Sequence, residues 1–544
     1  MTSNQTTQQK LMTNWRWWLC SLLFVATTVN YLDRQVLSLT YKEFIRPEFG
    51  WSDADYGTIT AFFSIFYAIA CLFAGKFVDW MGTKKGYIIS IFVWSFGACL
   101  HAACGWATNQ LIATMSNVAL AVSTTSVYLF LLCRGILALG EAGNFPAAIK
   151  VVAEYYPKKD RAFATSIFNA GASVGALAAP LCIPILAKSY GWEMAFIIIG
   201  ALGFLWIFFW QFMYDKPESS KHVNEAELEY IHQDETTSNN EQASSTISIP
   251  FWQCFKYKQT WSFITGKFFT DGVWWFFLFW APAYFQDQFG AKASAPLGQA
   301  LIFTLYAIVT VISIYGGYLP KLFVDKKGME PYSGRMLAML IFAFFPLVAL
   351  FAQPLGIGLN SPWWPAILIG IAAAGHQAWS ANLFSTIGDM FPKSTIASIT
   401  GIGAMAGGIG SFIIQKAAGS IFTTFAGKFE YCVGSEHKTA ELSKDGFFDA
   451  MKNIQDIPND APIEQFNNLQ QSIDNAIAAG AKPQELINYA VQHGWTITEQ
   501  PLSFLGFEGK PAGYFIVFCF CGVAYLIAWC IMKSLVPKYK PINA

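Results

Sequence analysis

Stretches of roughly twenty mostly apolar residues recur along this chain, each long enough to cross the hydrocarbon core of a bilayer as a helix. They fall near 15–40, 55–80, 86–105, 122–147, 162–187 and 193–213, and again near 261–288, 298–323, 335–354, 363–388, 396–425 and 512–534. Within lipid no water is present to satisfy backbone N–H and C=O groups, so a spanning segment closes its hydrogen bonds internally as a helix. The expectation is an all-α membrane protein of about twelve transmembrane helices in two six-helix halves. The first half covers 1–213, a polar linker 214–258, and the second half 259–544. Within the linker, Glu225 to Glu235 reads as a short amphipathic helix.

Composition agrees: of 544 residues only 13% are charged, where a soluble domain carries about a quarter. The formal net charge is zero, which removes nucleic acid as a partner. The N-terminus is polar up to Lys10 and no small-residue cleavage site follows the first apolar stretch, so that stretch is expected to stay as the first span. Most of the eleven cysteines lie inside apolar stretches and no CxxC occurs, so neither a zinc site nor a redox motif is signalled. Cys104 and Cys432 both fall where they could face outside, which leaves a bridge between them open. No cofactor or metal is expected.

Basic residues set the orientation. Lys84, Lys85, Lys158, Lys159, Arg161, Lys256, Lys258, Lys326, Lys327, Lys393, Lys533 and Lys538 all fall in connections on one side. The positive-inside rule places that side, and both termini, in the cytoplasm. The connection 427–511 then lies outside, and its length of roughly 85 residues is far above the ordinary range. Apolar residues at helical spacing in 445–456, 463–478 and 482–493 predict a small helical cap there, serving as a lid or as a surface for capture or docking.

An ionisable side chain inside a span costs about 3 kcal/mol on insertion scales and is a functional candidate by default. Asn30, Asp33 and Arg34 share one helix face in NYLDR. Arg34 brings a planar, permanently charged fork suited to a carboxylate, and Asp33 can balance it when the substrate is absent. Arg134 and Glu141 share a face of the fourth span, where Glu141 can exchange a proton and Gly140 and Gly143 let a neighbouring backbone approach. A structural pair, Arg134 with Glu141 or with Asp33, is the alternative. Gly171 and Gly175 carry small-xxx-small spacing, a helix-packing signal. In the second half Lys267 and Asp271 are an i, i+4 pair that can neutralise each other, with Trp274, Trp275 and Tyr284 following. The tenth span holds His376, Gln377, Trp379, Ser380 and Asn382, which suit either a hydroxyl-rich ligand or hydrogen bonds between helices.

The connection after the second span reads GKFVDWMGTKK, with Gly75, Asp79, Gly82, Lys84 and Lys85. Its glycines permit close helix approach, and Asp79 can accept from helix-end amides or a basic partner across a gate. This motif and the six-plus-six layout resemble the major facilitator superfamily, whose fold places the substrate site between the halves near the midplane. NYLDR, GKFVDWMGTKKG and RGILALGEAGNFPAAIK resemble its anion:cation symporters. VWWFFLFWAPAYF, GGYLPKLF and GHQAWSANLFSTIGDMFPK resemble the hexuronate transporters among them. The resemblance leaves out the termini, the linker and 427–511.

It implies uptake of an anionic sugar acid, galacturonate or glucuronate, by proton symport across a bacterial cytoplasmic membrane, by a chain that works as a monomer. Carried over by motif position, Arg34 grips the carboxylate, Asp33 and Glu141 carry protons, and Tyr67 lines the same cavity. Gln377 and Asn382, with Trp274 and His376, meet the sugar; Arg134, Asp79, Gly75, Gly82 and Lys84 serve gating or structure. Aldonates and other organic anions are alternative cargo, and a ligand sensor on the same scaffold is a reading from another class. No nucleophile elbow, HExxH or phosphate-cradling loop supports an enzyme.

Overall fold

The computed structural model describes residues 12–114, 122–233, 249, 251–391, 395–426, 428–433, 436–441 and 496–542. The first half contains α1 (Trp15–Thr40), α2 (Asp53–Met81), α3 (Thr83–Leu100), α4 (Val122–Glu141), α5 (Lys158–Tyr190) and α6 (Trp192–Met213). The second contains α7 (Lys258–Phe289), α8 (Pro296–Lys327), α9 (Pro331–Ala343), α10 (Trp363–Met390), α11 (Ile396–Ala426) and α12 (Lys510–Leu535). A helix follows each expected span. Among the described residues nine helical runs are long and apolar enough to cross a membrane. The other three long helices, α1, α7 and α10, are the ones interrupted by Asp33 and Arg34, by Lys267 and Asp271, and by His376 and Asn382.

Local chemistry sets the helix ends. Ser52 caps α2 by accepting from the Asp55 amide while the Asp55 carboxylate accepts from the Ser52 amide at 2.9 Å. Gly82, at φ +77°, makes the turn from α2 to α3 in backbone space that favours glycine. In the linker, a helix at Glu225–His232 is capped by Asn224 and presents Glu227, fully buried, to the start of α1. Glu227 accepts from the amides of Trp15 (3.0 Å) and Arg16 (3.2 Å) and pairs with the Arg16 guanidinium at 3.1 Å. A carboxylate there satisfies first-turn donors and complements the helix dipole.

Small residues bring the helices together. An added Cβ at Gly171 or Gly175 of α5 would lie 2.4 and 2.6 Å from the carbonyls of Phe24 and Thr28 on α1. One at Gly140 of α4 would lie 2.3 Å from the Trp94 amide of α3. Between the halves, α2 packs along α11 through Gly57 against Gly419, Ser64 hydrogen-bonded to Ser411 at 2.9 Å, and Gly408 against Ala68. This seam loosens toward the side that carries the termini, where a Cβ at Gly401 would meet only Leu72 at 3.8 Å.

That divergence corrects one expectation. Gly75 has open space where its Cβ would be, so it serves no close approach here; Gly86, further along, is the glycine packed against Val78. The ends of the insert, outside the segments expected to be helical, form strands. β1 (Lys428–Val433), β2 (Glu436–Glu441) and β3 (Thr496–Gln500) form an antiparallel sheet in the order β2-β1-β3. β4 (Ser503–Phe504) and β5 (Phe507–Glu508) follow as a hairpin ahead of α12. The helical segments expected within 445–493 lie outside the described residues. Cys104 is unbridged and lies with its sulfur 3.7 Å from that of Cys133, which removes the bridge to Cys432.

Candidate functional site

Midway along α1 and at the end of α4, Arg34 and Glu141 meet. Arg34 Nε and Nη2 donate at 3.0 and 2.6 Å to the same oxygen, Oε2, and Glu141 Oε1 has no hydrogen-bond partner. Both residues are buried, Glu141 completely on its side chain. Neither of the structural pairs anticipated for Arg134 forms. It is the guanidinium of Arg34, from another helix, that reaches the Glu141 carboxylate.

Aromatic rings enclose the Arg34 guanidinium. Its central carbon lies 5.1 Å from the ring centroid of Tyr31, 5.7 Å from Phe63, 4.9 Å from Tyr67 and 5.1 Å from Trp275. Such faces hold a cation without competing for its N–H donors. Tyr67 therefore stands where the sequence placed it. Tyr31 and Phe63 were missed, although each stands at helical spacing from a recognised residue, Arg34 and Tyr67. Trp275 closes the cage from the second half.

Asp33 and Arg134 are buried close by. Neither Asp33 oxygen has a well-formed hydrogen bond, though the Trp94 indole is its neighbour, and Nε and Nη1 of Arg134 have no acceptor. Arg134 lies over the Phe63 ring at 5.4 Å and lines a small cavity with Leu37, Ser38, Tyr56, Thr60, Phe63 and Phe279, residues of both halves. Buried donors and acceptors without partners are rare, and here those of Asp33, Arg134 and Glu141 fall in one region.

In the second half, Lys267 pairs with Asp271 at 2.6 Å, as the i, i+4 spacing predicts. Trp274 stacks on His376 with centroids 5.5 Å apart, and His376 Nδ1 lies 2.7 Å from the Tyr525 hydroxyl. Asn382 donates to the backbone carbonyls of Gly316 and Ala378, both at 2.8 Å, so its amide joins α10 to α8. Gln377 is half-buried and forms no hydrogen bond with the described residues. Lys84 pairs with Asp215 at 2.9 Å and so ties the start of α3 to the chain after α6; the side chain of Asp79 lies outside the described residues.

On the side carrying the insert lies a second charged cluster, which no spacing in the sequence signals. α1 continues into a π-helical turn, Tyr41–Ile45, that aims Lys42 inward. Lys42 lies 2.8 Å from Asp53 and 2.9 Å from Asp287; Lys510 lies 2.5 Å from Asp53 and 3.7 Å from Asp287. Tyr41 donates to Asp53 at 2.8 Å and Tyr514 to Asp287 at 3.0 Å. This ring joins the halves and seals that end. At the centre, then, a buried cation is paired with a buried acid, and a second ring of charges joins the halves toward the insert.

The family model described as Major Facilitator Superfamily matches residues 23–414. The chain is 28% identical over 410 residues to the hexuronate transporter of Escherichia coli (strain K12), covering 75% of this chain and 88% of that protein. It is 27% identical over 344 residues to the galacturonate transporter of Dickeya chrysanthemi, covering 62% of this chain and 92% of that protein. Its fold is similar to the crystal structure of a bacterial homolog of the human lysosomal transporter Spinster in an inward-facing and occupied conformation. That likeness has a TM-score of 0.61 and 17% identity over 97% of this chain and 99% of the other.

Proposed function

The chain belongs to the Major Facilitator Superfamily, and on that premise we propose that it is a secondary active transporter importing a sugar-acid anion, a hexuronate such as galacturonate or glucuronate, by proton symport. The observation that carries this reading is the Arg34–Glu141 contact, in which a caged guanidinium spends two donors on one carboxylate oxygen. A substrate carboxylate can take that oxygen's place once Glu141 accepts a proton and its charge is lost. Relatives named for hexuronate and galacturonate transport point to the class of anion.

The cycle follows from these contacts. Protonation of Glu141, with Asp33 as a second acid, frees Arg34 for the substrate. Tyr67 and Trp275 hold the guanidinium in place meanwhile, and Gln377 offers an unspent amide to sugar hydroxyls. The Trp274–His376 stack gives an aromatic face to the sugar's C–H side. Asn382 supports the α8–α10 contact beneath. Deprotonation of Glu141 returns it to Arg34 and displaces the substrate. With two protons per monoanion, one positive charge enters, and the membrane potential contributes about 2.3 kcal/mol per 100 mV.

The basic connections place both termini in the cytoplasm, and bacterial relatives support the cytoplasmic (inner) membrane. The ring of Lys42, Asp53, Asp287 and Lys510 then faces outward. One chain supplies every residue of the site, so a monomer suffices.

Uptake of labelled galacturonate and glucuronate into proteoliposomes, with an inward proton gradient, tests the reading. Accumulation that a protonophore collapses is the expected result. Transport of aldonates alone keeps the mechanism and replaces the substrate. Binding with no accumulation of any sugar acid favours a sensor and sinks the proposal.

A further inference from the structure

Residues 267, 271 and 275 recur every four positions along α7 and so share one face. Trp275, at one end of this stripe, touches the Arg34 cage. With a rise of about 1.5 Å per residue, Asp271 starts roughly 6 Å and Lys267 roughly 12 Å further along the axis. Asp271 packs against Gly407 of α11, whose neighbour Gly408 meets Ala68 of α2, one residue after Tyr67 of the Arg34 cage. The Lys267–Asp271 pair and the Arg34 fork therefore look into the same space between the halves.

The pair is less enclosed than the fork. Its side chains keep 8% and 14% of their exposure, against none for Glu141. Asp271 Oδ1 has no hydrogen-bond partner among the described residues. Gly407 of α11 makes room for this carboxylate, since a Cβ there would fall 2.2 Å from Oδ2. Lys267 Nζ is steadied over the Phe384 ring at 4.6 Å. A pair that only neutralised itself for life in lipid would not leave a buried carboxylate oxygen without a donor.

Charge balance gives the pair a specific use. Inward of the Lys42–Asp53–Asp287–Lys510 ring, the charges of the central site are Arg34, Arg134 and Lys267 against Asp33, Glu141 and Asp271. With the signs matched, the proton on Glu141 offsets one added carboxylate, and a second carboxylate would need a further proton, on Asp33. A six-carbon sugar acid held by its carboxylate at Arg34 presents its far end to Asp271 and Lys267. Hydroxyls there find an acceptor and a donor; a second carboxylate meets an acid already paired with the nearest cation.

We propose that the Lys267–Asp271 pair is a specificity determinant that restricts the substrate to sugar acids with a single carboxylate. This rests on the sugar-acid reading above. The test is competition against labelled galacturonate binding in purified protein, with unlabelled galacturonate (one carboxylate) and galactarate (two carboxylates) as competitors. The wild type is expected to favour the monoacid. In Asp271→Asn the diacid-to-monoacid affinity ratio is expected to rise about tenfold, and in Lys267→Gln to fall by a similar factor. A ratio unmoved or moved the other way in either variant overturns the inference. So does loss of both acids alike, which makes the pair a structural requirement. Wild-type protein that binds both acids equally overturns the inference alone; wild-type protein that binds neither removes the hexuronate reading with it.

Discussion

Lys42 of the first half and Asp287 of the second lie 2.9 Å apart. The bond crosses the boundary along which the halves must separate if the insert side is to open. Lys42 is shared with Asp53, and Lys510 bridges to the same two acids, so each charge has a partner in both halves' reach. A ring of this kind closes tightly yet can reopen, because opening leaves Lys42 with Asp53 on one half and Lys510 with Asp287 on the other.

Asp287→Asn is expected to loosen this closure by about 1–2 kcal/mol, after discount for its partial exposure. In a background without reactive exposed cysteines, Ser38→Cys on the cavity wall would be labelled from the insert side by a membrane-impermeant maleimide. Labelling about tenfold faster in the Asp287→Asn variant is the expected outcome. An unchanged rate would show that the ring does not hold the gate.

Glu141→Gln keeps the shape of the side chain and removes its charge and its proton. Uphill uptake driven by a proton gradient should fail, while exchange of labelled for unlabelled substrate across the membrane survives. Normal proton-driven accumulation by this variant would take Glu141 out of the coupling mechanism.

Arg34→Lys preserves the charge but loses the planar fork and most of its contact with Tyr31, Phe63, Tyr67 and Trp275. Substrate affinity is expected to fall about a hundredfold. Calorimetry on purified protein checks it, and an affinity within a factor of about three of wild type would refute the carboxylate-binding role.

Asn382→Ala leaves the Gly316 carbonyl without its donor inside the protein. The expected effect is a loss of roughly 1–2 kcal/mol in stability, read as a lower melting temperature in detergent. A drop in substrate affinity with unchanged melting would instead place Asn382 in direct contact with the sugar.

Helix positions were legible because the hydrocarbon core demands long apolar runs: α1 spans Trp15–Thr40, as read from the sequence. The Lys267–Asp271 pair was legible too, since i, i+4 spacing decides it locally. Arg34 and Glu141 could each be singled out as charges in lipid, but their pairing could not. They stand 107 residues apart, and Arg134, a helix-mate of Glu141, was the nearer partner in sequence. The cage was half visible: Tyr67 and Trp275 could be singled out, whereas Tyr31 and Phe63 are aromatics in apolar stretches that only packing turns toward Arg34. Lys42, Asp53, Asp287 and Lys510 lie at four separated helix ends, and only packing brings them together. At Gly75 a motif glycine suggested contact, yet the helices diverge there.

The strands flanking the long insertion change how large that insertion is from the viewpoint of the helices. β1 leaves α11 and β3 returns toward α12 as direct neighbours, with Lys428 opposite Gln500. The two points where the excursion begins and ends are thus about 5 Å apart, no farther than in an ordinary tight connection. The excursion hangs from the transporter by a zipped stem, which makes it a module: it can be trimmed, exchanged or decorated beyond the stem without altering the distance that α11 and α12 must bridge.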